Sequence, residues 1–229
     1  MSWRLCLRGQ ARRPAGLPGW GVGSMRRLGS AFARVLVLVA SISAARGDEA
    51  SDLLFFSGDL MSGRSFAGLG WLHAASGLDL SGPVFAAELG RQQVNLAYGQ
   101  AAAGWRFSQS GAILTILGGA ELAPDNAPAV RPLASADLWW EPASGWMASA
   151  QAQVTTAYLS WRVAPGVRLA ENWPWIGPEA AASTGELRAG VHATGIRLGG
   201  GFEARASVGV SWWRRQPGPY GELAVWRRF

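Results

Sequence analysis

His192 and Thr194 stand two residues apart in "ELRAGVHATGIR", Glu186 to Arg197. In an extended chain, residues i and i+2 point to the same side. A histidine beside a hydroxyl, with Glu179 or Glu203 supplied from a neighbouring strand, would form a hydroxyl–imidazole–carboxylate group. A hydrolase uses that arrangement to activate an oxygen nucleophile. For a lipid ester, such a group must sit on a lipid-facing surface. Here His192 and Thr194 share their face with Glu186 and Arg188, opposite Leu187, Ala189, Val191 and Ala193. If the sheet closes, the polar face becomes a lumen. A polar ladder filling that lumen is then the simpler reading, with Glu88, Arg91, Asp137, Gln151, Gln153, Glu179, Glu186, Arg188, His192, Glu203, Arg205 and Glu222 offsetting one another's charges.

No catalytic metal or cofactor is expected. His73 and His192 are the only histidines, and Cys6 is the only cysteine. No glycine-rich segment opens a helix, and "LGGGF" (Leu198 to Phe202) reads as a β-turn.

The elements that must position these residues show a period of two. In "GWMASAQAQVTT", Trp146, Ala148, Ala150, Ala152 and Val154 oppose Ser149, Gln151, Gln153 and Thr155. In "FEARASVGVSWW", Phe202, Ala204, Ala206, Val208, Val210 and Trp212 oppose Glu203, Arg205, Ser207, Gly209 and Ser211. Repeated segments of this kind predict strands over 52–60, 65–73, 84–92, 95–107, 112–121, 131–141, 145–155, 158–163, 173–182, 186–197, 202–213 and 218–228. About twelve antiparallel strands with short connections make an up-and-down transmembrane β-barrel; ten is the alternative count. "IGPE" (Ile176 to Glu179) marks a strand start or a bulge, since Pro178 cannot donate to a ladder.

A membrane barrel is favoured over a soluble β-sandwich by the tryptophans. Eleven of the 13 follow Gly47. Trp105, Trp139, Trp140, Trp146, Trp173, Trp175, Trp212, Trp213 and Trp226 lie near strand ends, where indoles suit the bilayer interface. Trp139 shares a face with Asp137, and Trp213 one with Glu203 and Arg205, which makes these two candidates for stacking a sugar ring; interface anchoring is their competing role. The chain ends on Phe229, with Leu223 and Val225 on one outward face and Arg227 breaking the pattern.

The formal charge of +6 comes entirely from the first 47 residues, which hold eight arginines and no acid. Residues 1–47 read as an export signal with an over-extended start. Met25 is the expected initiator, followed by Arg26 and Arg27, the apolar "VLVLVASISAA" and a small-residue cleavage site at Ala45-Arg46-Gly47. The barrel then occupies 48–229. From Asp48 onward, 13 Arg stand against 15 acids, so a nucleic-acid partner is not expected. No apolar run after Gly47 approaches the ~20 residues of a helical span.

"LFFSGDL", "GWRF", "ADLWWEP", "IGPE" and "GVHATG" follow one another along the chain. In this order and spacing they resemble the bacterial cellulose biosynthesis protein BcsS family. The resemblance implies an exported β-barrel in the outer membrane of a Gram-negative bacterium, surrounded by lipid, with cellulose and other cellulose-synthesis proteins as partners. It brings no catalytic residues. The resulting expectation is a non-enzymatic barrel that assists cellulose synthesis or export. Its alternatives are an outer-membrane hydrolase of lipid or polysaccharide centred on His192, and a soluble periplasmic glucan-binding β-protein.

Overall fold

The computed structural model describes residues 50–61, 64–92, 96–123, 130–213 and 216–229. The export signal expected over 1–47, with its start at Met25, lies outside these residues. Twelve strands follow in chain order: β1 (Asp52–Met61), β2 (Arg64–Ala74), β3 (Gly82–Gln92), β4 (Leu96–Gln109), β5 (Ala112–Leu122), β6 (Val130–Ala143), β7 (Trp146–Thr155), β8 (Leu159–Val167), β9 (Trp175–Ser183), β10 (Glu186–Gly199), β11 (Phe202–Trp213) and β12 (Gln216–Arg228). Each pairs antiparallel with the next, and β1 closes on β12 from Leu53↔Arg228 to Met61↔Tyr220. Closure leaves no free sheet edge.

The alternation sorts side chains between two environments. On β7, Trp146 and Val154 are exposed on the outside, whereas Met147 and Thr155 are buried within. Leu89 (70 %), Val208 (59 %) and Val191 (54 %) stand bare on the outer face, beside Trp71, Trp105, Trp140 and Trp161. An apolar surface of this extent suits acyl chains, and a soluble protein would bury it. The sandwich alternative is therefore replaced by a closed barrel.

Three sequence expectations change once the strands are in register. Arg91 was expected in the polar ladder with Glu88, but the two lie three residues apart on β3, so Arg91 takes the outer face and is exposed. Trp175 and Trp226 were expected at the bilayer interface, and both have the parity of the inner face, as do Trp139 and Trp213, which their polar neighbours in sequence had placed there. Trp175 is 4 % exposed, and the Trp226 Nε1–H donates to Glu203 inside the barrel. Pro178 neither starts a strand nor forms a bulge. It sits within β9 opposite Val191, in unbroken register with β10.

On the other side of β9, pairing with β8 lapses between Val163↔Ala180 and Val167↔Ile176. That constant register sets Pro165 against Pro178, and neither has an N–H to give. Arg227, which breaks the apolar pattern of β12, lies outside with its guanidinium 5.2 Å above the Phe202 ring.

Glycine allows the wall to bend. The β10–β11 hairpin turns through Gly200 and Gly201 at φ 60° and 79°, as a tight two-residue loop demands. At Gly104 the β4 backbone approaches β5 so closely that a Cβ would fall 1.9 Å from the Ile116 carbonyl oxygen. That oxygen belongs to the ladder and cannot withdraw. Gly104→Val is expected to destabilise the barrel by about 1–3 kcal/mol, read as a lower urea midpoint for loss of the heat-modifiable folded band.

Candidate functional site

The inner face carries the chemistry. Strand pairing places Asp59 beside Glu222, Glu88 beside Gln100, and Asp137 beside Gln151, which in turn neighbours Arg162. Side chains then reach across the lumen. The Arg162 guanidinium (β8) donates to Glu222 (β12), four strands away around the ring, and to Gln151. Arg188 (β10) donates to Asp59 (β1) at 3.0 Å and to Glu186 at 2.8 Å, and lies 3.6 Å from Glu222. Gln153 (β7) donates to Gln100 (β4) at 3.0 Å, and Gln100 donates to Glu88 at 2.7 Å. Gln151 donates to Asp137 at 2.6 Å. Two chains of hydrogen bonds and ion pairs thus girdle the lumen and meet on β7, where Gln151 and Gln153 share a face.

Burial makes the pairing necessary. Arg205 donates to Glu179, which is 3 % exposed and also accepts from the Ser207 hydroxyl at 2.8 Å. Arg131 and Glu121 pair at 3.1 Å, both buried. Each of these charges has left bulk water, so loss of either partner would strand the other. Beside Glu121, in the β7–β8 connection, burial and the Glu121 carboxylate push the Tyr158 phenol up. Asp137 and Gln151 differ from the rest: they point inward and are nonetheless exposed, so the lumen is open beside them.

His192 sits elsewhere, fully buried over Gly177. Its Nε2 lies 2.9 Å from the Pro165 carbonyl oxygen, which can only accept, so Nε2 carries the proton. Its Nδ1, 2.9 Å from Thr194 Oγ1, therefore accepts from that hydroxyl. Neither acid expected to complete a catalytic group reaches it: Glu179 binds Arg205 and Ser207, and Glu203 binds Trp226. The imidazole instead supplies a donor where the opposed prolines leave the β8–β9 ladder unpaired. That role was hidden in the sequence, because it depends on Pro165 facing Pro178.

The two stacking candidates both face the lumen. The Trp139 Nε1–H is committed to Glu141 at 2.9 Å, and Trp213 packs beside Gly185, where a Cβ would lie 3.2 Å from its ring. Residues that sequence reasoning missed include Asp59, Gln100, Glu121, Arg131 and Arg162. For Asp59 the signal is masked, since β1 carries Phe55 on the same inner face, its ring laid against Gly70. Among the described residues no group of three His, Cys, Asp or Glu could hold a metal ion.

One mouth is narrowed. At the end where β1 begins and β12 stops, Leu78 folds inward from the β2–β3 connection onto Ala74 and Val84, with Leu53, Leu72 and Leu117 around them. The Leu78 N–H donates to Ala50 and its carbonyl accepts from Arg106.

Residues 133–229 match the family model described as cellulose biosynthesis protein BcsS. The match spans "ADLWWEP", "IGPE" and "GVHATG"; "LFFSGDL" and "GWRF" precede it. No curated protein matches the chain. Among solved structures, the barrel is similar to a KdgM porin (TM-score 0.56, 10 % identity, 77 % of this chain and 99 % of that one). It is similar also to a KdgM porin in complex with disordered oligogalacturonate (TM-score 0.56, 9 % identity, the same coverage). At such identity the likeness is one of fold, that of a closed antiparallel β-barrel.

His192→Ala is expected to lower stability by about 1–3 kcal/mol, because it leaves the Pro165 carbonyl and the Thr194 hydroxyl unpaired in a buried site. Arg205→Met should cost about 3–5 kcal/mol by leaving Glu179 buried without a counter-charge. Both are measurable as shifts in the urea midpoint of the purified barrel.

Proposed function

We propose that this protein is a non-enzymatic outer-membrane barrel that assists cellulose production by offering a sugar chain a polar passage through its lumen. The observation that carries this reading is the water-exposed, inward-pointing pair Asp137 and Gln151, set in a polar lining that continues around the ring. Amide and carboxylate side chains replace the hydrogen bonds that sugar hydroxyls make to water. The family matched over residues 133–229 supplies the link to cellulose, and the apolar exterior supplies the fit to a bilayer. Export through a signal over residues 1–47 would bring the chain there. Lipid and the other cellulose-synthesis proteins would be its partners.

The hydrolase alternative loses support from His192, whose ring nitrogens are both committed in a site closed to substrate. The soluble glucan-binding alternative conflicts with the exposed apolar belt. Trp139 and Trp213 remain lumen-facing surfaces that a sugar ring could stack on.

A second reading, a closed scaffold, is favoured by the Leu78 cap. Planar-bilayer recording separates the two. A passage predicts discrete conductance steps from the wild type and larger steps from Leu78→Gly, because the cap loses its apolar contacts. Silence from both proteins, each shown to be folded and inserted, would leave the scaffold.

A further inference from the structure

The girdle in mid-lumen has an uneven charge. Asp59, Glu88, Asp137, Glu186 and Glu222 contribute five carboxylates, against the guanidinium groups of Arg162, Arg188 and Arg106, the last of which attracts Asp137. Glu186 shares Arg188 with Asp59, so that guanidinium is already divided among carboxylates. Glu88 is held by two neutral donors, the Tyr98 hydroxyl at 2.6 Å and Gln100. Asp137 accepts from the neutral Gln151, is attracted by Arg106, and opens onto the lumen.

A second observation points to an occupant. Asp59 is nine-tenths buried, and its Oδ1 has no hydrogen-bond partner within the protein. A buried carboxylate oxygen that is shielded from solvent and has no donor keeps its negative charge uncompensated beside the lumen. It repels another carboxylate.

We propose that this girdle is a charge filter that accepts uncharged sugar chains and turns back polyanionic ones. The inference rests on the passage reading and adds its substrate class. An uncharged chain brings hydroxyls that donate to Glu88 and Asp137 at no Coulombic cost. A uronate chain would bring its carboxylates against an excess of like charge in a confined, poorly screened space. Arg162 and Arg188 do not offset this, because each is already bound to carboxylates of the wall, and Arg106, held by Thr115 and the Leu78 carbonyl, faces Asp137 alone among these carboxylates, which leaves carboxylates in excess.

The test uses the purified full chain in detergent micelles and in planar bilayers. Binding of a cello-oligosaccharide and of a uronic-acid oligomer of equal length is measured calorimetrically, beside the reversal potential in a KCl gradient. The expected result is a preference for the uncharged oligomer of about tenfold or more, with a reversal potential on the cation side. Raising the salt should shrink the preference, and so should Glu88→Gln combined with Asp137→Asn, both near-isosteric and both checked for the heat-modifiable folded band. Equal or tighter binding of the uronate, an anion-side potential, or a preference that the double variant leaves unchanged would overturn the filter while leaving the passage intact. Absence of both binding and conductance would remove the passage reading, and the filter with it.

Discussion

Closing twelve strands edge to edge sends alternate side chains into a narrow lumen and the rest into lipid. The other features of this protein follow from that constraint. The outer face can be as apolar as Leu89 and Val208 make it, since acyl chains accept any apolar shape. The inner face must solve a packing problem and a charge problem together. It does so with aromatic rings laid on glycines, as Phe55 lies on Gly70 and Tyr98 on Gly90, and with guanidinium groups that span several strands.

The charged bridges have two consequences. Arg162 and Arg188 link strands that are distant around the ring, so they brace the wall against collapse or ovalisation. They also narrow the lumen and set its electrostatic character. A polar interior of this kind contributes little net stability, because desolvation offsets most of the attraction. Its main effect is to hold the girdle in one arrangement. The exposure of Asp137 and Gln151 shows that the bracing does not fill the lumen at that level. The Leu78 cap restricts one mouth only on the side of β1 to β5.

His192 shows how a chemically suggestive residue can be structural. A buried histidine beside a threonine has the composition of a nucleophile and its base. Its environment decides otherwise, since the outer nitrogen is spent on a backbone carbonyl that opposed prolines leave without a ladder partner. The wall therefore tolerates opposed prolines on β8 and β9, with a side chain from β10 supplying the donor that the Pro165 carbonyl lacks.

Much of the architecture was legible from residue order. Alternation in "GWMASAQAQVTT" and "FEARASVGVSWW" placed β7 and β11 and identified their inner faces, because a half-polar strand has period two wherever it lies. Twelve strands and their approximate limits followed from the same signal. It was weak on β8 and β9, where Pro165 and Pro178 interrupt it. The inner positions of Glu179, Arg188, Glu203 and Arg205 were likewise open to reading. Only the folded barrel decided which charge meets which, because Arg162 and Glu222, sixty residues apart, become neighbours by closure alone. Closure also turned Arg91 outward and Trp226 inward, and it set Pro165 opposite Pro178. Period two assigns a residue to a face; the register and curvature of the closed sheet decide what it touches there.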